Sequence, residues 1–209
     1  MTNKPNNNFI IIGLTGPTGA GKTTAASAMS DLGCFIIDSD KIARDVLNQC
    51  DCIEQICSVF GNSIKKSDGK ISRVKLANIA FSSDENTKKL NAITHPLILK
   101  QIKKEIKALK NKQNSIIVID APLLFESKLD KICNVIVSVI TPENDRLKRI
   151  MKRDCLSEVQ AKQRISRQHD NKFYLDNSDY TLDGSGRDCD LYKLASDLVM
   201  ALRGDFSCK

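Results

Sequence analysis

Short, nearly uninterrupted apolar runs recur along the chain, each closed by a polar or glycine-rich break. They are Phe9 to Leu14, Cys34 to Ile37, Ser115 to Ile119 and Val135 to Val139. Runs of this length without apolar–polar alternation read as strands buried on both faces of a parallel sheet. Between them the apolar period lengthens to that of a helix. Lys22 to Leu32 reads as a helix ended by Gly33. The stretch from about Lys41 to Asn114 is mostly helical in pattern, punctuated by Gly61, the Asp68-Gly69 turn and Pro96. Thr141-Pro142 predicts a helix start, with threonine as N-cap and proline in the first helical position. Ser157-x-x-Gln160 is a capping box. Tyr180 to Leu182 adds a weaker fifth strand, and Leu191 to Leu202 a last helix. Strands alternating with helices predict the α/β class, with a parallel five-stranded sheet flanked by helices.

Composition narrows this little. The 209 residues suffice for one compact domain, and 41% hydrophobic with 27% charged residues is ordinary for a globular chain. Met1 to Asn8 is polar and precedes no secretory h-region or membrane span, so a cytoplasmic location is expected. The Asn-rich start and the last few residues are expected to fray. Eight cysteines are present without a C-x-x-C pair, and His95 and His169 lie near no cysteine cluster. That argues against structural zinc and for free thiols in a reducing compartment.

The formal charge of +7 asks for an anionic partner, which polyphosphates satisfy as well as nucleic acid does. Aromatics are too sparse for a base-stacking platform. Lys100, Lys103, Lys104, Lys107 and Lys110 share a helical face opposite Ile98, Ile102, Ile106 and Leu109, and read as the solvated side of an amphipathic helix.

Chemistry concentrates in Gly16-Pro17-Thr18-Gly19-Ala20-Gly21-Lys22-Thr23, followed by Thr24. The segment fits G-x-x-x-x-G-K-S/T and lies between a buried strand and a helix, the setting a P-loop requires. Glycines let successive backbone N–H groups wrap a phosphate, and the helix N-terminus adds its dipole. In such a loop Lys22 reaches the β- and γ-phosphates of ATP, and the Thr23 hydroxyl ligates Mg²⁺.

Two further clusters sit at strand C-terminal ends, where open α/β sheets bind ligands, and a third lies on the helix after Pro142. In Asp38-Ser39-Asp40, alternation in an extended segment predicts both carboxylates on one side. One would accept a hydroxyl proton and the other hold metal-bound water, or Asp40 merely N-caps the next helix. Asp120, at the end of a hydrophobic strand, has the Walker-B position that steadies Mg²⁺, and Pro122 and Leu123 after it form a rigid wall for a substrate cleft. Arg146, Arg149 and Arg153 share one helical face, away from Leu147, Ile150 and Met151. They are either a solvated stripe or a lid that neutralises a moving phosphoryl group. Arg44, one turn after Asp40, either binds an anionic substrate or pairs with Asp40 or Asp45. Arg73 and His95-Pro96, taken alone, read as structural.

In order, these segments resemble the dephospho-CoA kinase family from about Ile10 to Leu202. The resemblance rests on Ile12 to Gly16 with the P-loop, on Asp38-Ser39-Asp40-Lys41-Ile42-Ala43-Arg44, and on Phe60-Gly61. It continues through Asp68-Gly69 to Arg73, Leu90 to Pro96, Asp120 to Glu126, and the lid-like Arg146 to Arg153 with Arg164-Ile165 and Gln168. It implies a P-loop kinase three-layer fold as one domain, 9–205. The core would be 9–40, 115–140 and 178–205, with a helical substrate-binding excursion at about 41–114 and a lid at about 142–175. It implies transfer of the γ-phosphoryl group of ATP-Mg to the ribose 3′-hydroxyl of dephospho-CoA. Asp40 would be the general base, with Lys22, Arg149 and Arg153 neutralising charge. Gly16, Thr18, Gly19, Ala20, Gly21, Lys22, Thr23 and Thr24 would hold the nucleotide, and Thr23 with Asp120 the metal. Asp38, Asp40, Arg44, His95, Pro122 and Leu123 would contact the acceptor. A monomer or weak homo-oligomer without nucleic-acid or membrane partners is expected.

Pro17 stands where members often have glycine, and Thr23 where they often have serine. Gly184, in Asp183-Gly184-Ser185-Gly186, replaces a common asparagine and puts a side-chain contact to the base in doubt. A nucleoside or nucleotide kinase would share the P-loop, carboxylate and lid, but not the Asp-Gly…Arg and Thr-His-Pro segments. An RNA-binding NTPase or GTPase is disfavoured. Asn171-Lys172-Phe173-Tyr174 breaks N-K-x-D, and the D-x-x-G at Asp183 to Gly186 falls too late.

Overall fold

A computed structural model describes residues 9–110 and 115–207, with the side chains of 205–207 left aside. The expected frayed ends at Met1–Asn8 and Cys208–Lys209 lie outside those residues. The chain divides into two compact units, Met1–Ile37 with Ala108–Lys209, and Asp38–Lys107.

The first unit carries the sheet. β1 (Phe9–Thr15) lies at its centre, with β3 (Ser115–Asp120) on one side and β4 (Val135–Ile140) on the other. β2 (Phe35–Asp38) and β5 (Tyr180–Asp183) are the edges, giving the order β2-β3-β1-β4-β5. The expected five-stranded parallel sheet with flanking helices is what forms. The central strands are apolar on both faces because both faces are covered. Ile12, Leu14, Ile116, Val118, Val137 and Val139 pack against α1 (Lys22–Asp31) and α9 (Asp188–Ser207). Ala25, Ala28 and Met29 from α1 meet Leu191, Ala195 and Val199 from α9 in that core. The lid-like segment supplies α6 (Glu143–Asp154), α7 (Glu158–Ile165) and α8 (Asn171–Asp176). A small core of Ile150, Ala161 and Ile165 joins α6 and α7. The capping box at Ser157 and Gln160 forms as predicted.

The second unit is helical: α2 (Ser39–Val46), α3 (Cys50–Phe60), α4 (Arg73–Ala80) and most of α5 (Asp84–Leu109). A single antiparallel bridge, Lys65 to Ile71, closes the Asp68-Gly69 turn. The lysine face is solvated: Lys100, Lys103, Lys104 and Lys107 are exposed while Ile102 and Ile106 are buried.

Two expectations about helix boundaries fail for physical reasons. Pro96 does not interrupt α5, which runs straight through it. Pro96 and Ala92 are both exposed, so the carbonyl that loses its N–H partner is open to water. Nor does Thr141 cap α6. Pro142 is the N-cap residue, at φ −52° and ψ 143°, and gives no side-chain bond. The Thr141 hydroxyl is engaged elsewhere, donating to the Ala20 carbonyl at 2.9 Å.

Candidate active site

The register sets the site. Leu14 lies beside Asp120 and Thr15 beside Ser138, so the glycine-rich loop leaves β1 at the edge where β3 ends in its carboxylate. Gly16 has φ +141°, and a Cβ there would lie 2.3 Å from the Val139 carbonyl oxygen. Only glycine makes that turn against β4. The N–H groups of Gly19, Gly21, Lys22 and Thr23 make no hydrogen bond within the chain among the described residues. Four donors gathered at the mouth of α1 form a concave anion site. Lys22 is ion-paired with Asp120, and their side chains are 17% and 19% exposed. The Thr23 hydroxyl belongs to an exposed residue at the first turn of α1, followed by the half-buried Thr24.

The outside of the loop is stitched to the lid-like segment. Thr18 N–H donates to Gln168 Oε1 at 2.9 Å, and Ala20 takes the Thr141 hydroxyl. Arg149 donates to the carbonyls of Gly19 (3.3 Å), Gly184 (2.7 Å) and Gly186 (3.4 Å). Its guanidinium thus ties the phosphate loop to the loop after β5. Gly184 is buried there, and a Cβ on it would fall 2.1 Å from the Ala20 carbonyl oxygen and 2.5 Å from Thr141 Oγ1. The departure at this position is therefore a packing feature. Gly184→Ala should displace the Ala20 peptide, lower the unfolding midpoint and weaken ATP binding about tenfold, an overpacking cost of about 1–3 kcal/mol. Calorimetry and nucleotide titration read both, and unaltered values in both would contradict the packing.

The three lid arginines do not share one environment. α6 begins against the loop, where a Cβ on Gly19 would lie 3.0 Å from the Arg146 carbonyl oxygen and 3.2 Å from Ile150 Cγ1. The arginine stripe is therefore covered at its start and exposed at its end, and Ile150 adjoins its buried part. Arg146 is 3% exposed, with Nε and Nη1 unpartnered within the chain among the described residues. Burial pulls its pKa below the ordinary value, with Glu143 and Tyr174 opposing. Tyr174, buried beside it and near Glu126, is pushed up to about 12, chiefly by burial. Arg153 is exposed and pairs through Nε and Nη2 with Asp154, both at 2.8 Å, and Arg164 joins the same carboxylate.

In the helical unit the extended stretch stops at Asp38 and α2 starts at Ser39, so strand alternation does not govern Asp38 and Asp40. Asp38, not Asp40, is the N-cap and accepts from Lys41 N–H at 2.8 Å. Arg44 lies 3.8 Å from Asp38 and does not pair with Asp40 or Asp45. Asp40 is exposed in the first turn of α2, with no hydrogen-bond or ion-pair partner among the described residues. His95 is half-buried in α5, and burial holds its imidazole below the usual pKa, favouring the neutral form.

After Asp120, Pro122 is half-buried and Leu123 is 55% exposed. Phe125 and Glu126 reach α8 and the residues before it. Phe125 stacks edge-on with Phe173 at 5.2 Å, and Glu126 lies 3.4 Å from His169 Nε2. Among the described residues no three His, Cys, Asp or Glu side chains gather as a metal site, and no helix is long and apolar enough to cross a membrane. Thr23 and Asp120, the latter paired with Lys22, offer one hydroxyl and one carboxylate, oxygen donors of the kind Mg²⁺ takes when substrate phosphates and water supply the rest.

Sequence reasoning placed Thr141 as an N-cap and Arg146 in the lid stripe, and did not reach the Ala20 carbonyl that Thr141 holds, the burial of Arg146, the bond from Asn171 to Thr141 or what Gln168 touches. Each depends on residues distant in sequence.

A P-loop at the carboxyl edge of a parallel sheet, with an acid ending the neighbouring strand and arginine helices following, defines a P-loop small-molecule kinase. The comparisons agree. The sequence profile of dephospho-CoA kinase matches residues 10–190. A dephospho-CoA kinase from Carboxydothermus hydrogenoformans is 41% identical over 177 residues, 84% of this chain and 86% of that protein. The structure of dephospho-CoA kinase from Campylobacter jejuni superposes with a TM-score of 0.73 at 28% identity, covering 94% of this chain and 98% of that one. Shikimate kinase from Acinetobacter baumannii, 17% identical with a TM-score of 0.54, covers 96% and 98% and shares the fold. The chain belongs to the dephospho-CoA kinase family.

Proposed function

We propose that the chain transfers the γ-phosphoryl group of ATP to the ribose 3′-hydroxyl of dephospho-CoA, giving CoA and ADP, the final step of coenzyme A biosynthesis. The family match over residues 10–190 carries this reading, since it takes in both the phosphate loop and the Asp38–Arg44 segment. The nucleotide lies along Gly16, Thr18, Gly19, Ala20, Gly21, Lys22, Thr23 and Thr24. The unengaged N–H groups and the Lys22 ammonium support this. Mg²⁺, held by Thr23 and Asp120, would supply charge neutralisation on the phosphates.

Asp40 accepts the hydroxyl proton, a role suited to an exposed carboxylate with no other engagement. Asp38 organises α2 and pairs with Arg44, which with His95, Pro122 and Leu123 contacts the acceptor. Arg149 fixes the loops around the nucleotide, and Arg153 neutralises charge in the transition state. The reading puts the enzyme in the cytoplasm, as a monomer or weak homo-oligomer without nucleic-acid or membrane partners.

ADP release measured with dephospho-CoA, a nucleoside and a nucleotide as acceptors separates this from other P-loop kinases. Turnover is expected with dephospho-CoA. Turnover with the nucleoside and none with dephospho-CoA would overturn the assignment.

A further inference from the structure

Among the described residues one donor of the phosphate loop is taken by a side chain from outside the loop. Thr18 N–H, beside the four unengaged amides, is bonded to the side-chain oxygen of Gln168 at 2.9 Å. Gln168 lies in the connection between α7 and α8, and each of the three residues after it is anchored separately. His169 stacks on Phe173 at 3.7 Å and lies 3.4 Å from Glu126. Asp170 caps α8, accepting from Phe173 N–H at 2.8 Å. Asn171 donates to the Thr141 carbonyl at 3.0 Å, while the Thr141 hydroxyl holds Ala20.

We infer that Gln168 is a positioning residue that latches the lid-like segment to the phosphate loop, so that the wall loop at 121–126 and the donor site move as one body. The reason is geometric. A side chain that merely filled the loop would be free at its base. Here the backbone on which Gln168 stands is held by the wall loop through His169 and by the phosphate loop through Asn171 and Thr141. The path Glu126–His169–Gln168–Thr18 joins the segment carrying Pro122 and Leu123 to the first turn of the P-loop, its Glu126–His169 step being a 3.4 Å contact between exposed side chains that is an ion pair when the imidazole is protonated. A latch of this kind keeps water from the γ-phosphorus while the acceptor hydroxyl is seated. When it fails, water attacks the γ-phosphorus in place of the hydroxyl. The bond to the β,γ-bridging oxygen then breaks, leaving ADP, inorganic phosphate and a proton.

This inference rests on the kinase reading above, and the test separates the two. The full chain is assayed with ATP, Mg²⁺ and dephospho-CoA, scoring ADP and CoA independently. If the parent makes no CoA, the functional reading is what fails. With an active parent, Gln168→Leu, which removes the acceptor atom, should lower CoA formation about fivefold, as loss of one hydrogen bond does. ADP formed should then exceed CoA formed, with the unfolding midpoint within about 2 °C of the parent. His169→Ala should act in the same direction more weakly. The double variant should be no worse than Gln168→Leu, because both break one path. Equal ADP and CoA in Gln168→Leu would overturn the latch. So would tighter ATP binding with intact coupling, the mark of a side chain that only occupies the loop, and so would additive losses in the double variant.

Discussion

Asp40→Asn lowers kcat with dephospho-CoA by about 10² or more, the range that loss of a general base gives. The substitution keeps size and shape and removes only the ability to take a proton. Asp40 sits in the first turn of α2, but the cap of that helix is Asp38, whose carboxylate accepts from Lys41 N–H. The helix therefore keeps its N-terminal hydrogen bond in the variant, and the unfolding midpoint should scarcely change. ATP affinity should also be kept, since the phosphate-loop donors lie in another part of the chain. Steady-state kinetics with nucleotide titration check both. Unchanged turnover would reduce Asp40 to an acid near a helix N-terminus, worth a few tenths of a kcal/mol, roughly, in dipole interaction.

Lys22→Met should cost about 10²–10³ in kcat, as removal of one preorganised charge-stabilising donor does. It also has a stability consequence that the motif alone does not suggest. Lys22 is paired with Asp120, and both side chains are mostly buried. Without the ammonium the carboxylate loses this ion pair, at about 1–3 kcal/mol, and the unfolding midpoint falls by roughly 2–4 °C per kcal/mol for a chain of this size. Adding Asp120→Asn removes the mostly buried charge and should return part of the midpoint while leaving the enzyme inactive. A double variant as unstable as Lys22→Met would show that the Asp120 charge is not what destabilises that variant.

The strands and the phosphate loop were legible because their signals are local. Continuous apolar runs at Phe9–Leu14 and Ser115–Ile119 require burial on two faces, and the glycines of the loop require backbone angles other residues avoid. What failed depended on partners distant in sequence. Thr141 has the residue type and place of an N-cap, yet its hydroxyl goes to Ala20, 121 residues earlier. Pro96 has the type of a helix breaker, yet its freed carbonyl faces water and the buried face of α5 continues beneath it. Spacing put Arg146, Arg149 and Arg153 on one stripe. It did not say that the stripe begins under Gly19 and ends in solvent. Gly184 was visible as a departure, but its reason, the closeness of the Ala20 peptide, is a tertiary fact.

The central claim is the identity of the acceptor atom, and phosphorus NMR of the product formed from ATP and dephospho-CoA tests it most directly. The account predicts one new phosphomonoester resonance, coupled to the ribose 3′ proton and growing in step with ADP. A resonance on another hydroxyl, or ADP and inorganic phosphate with the acceptor unmodified, would contradict it.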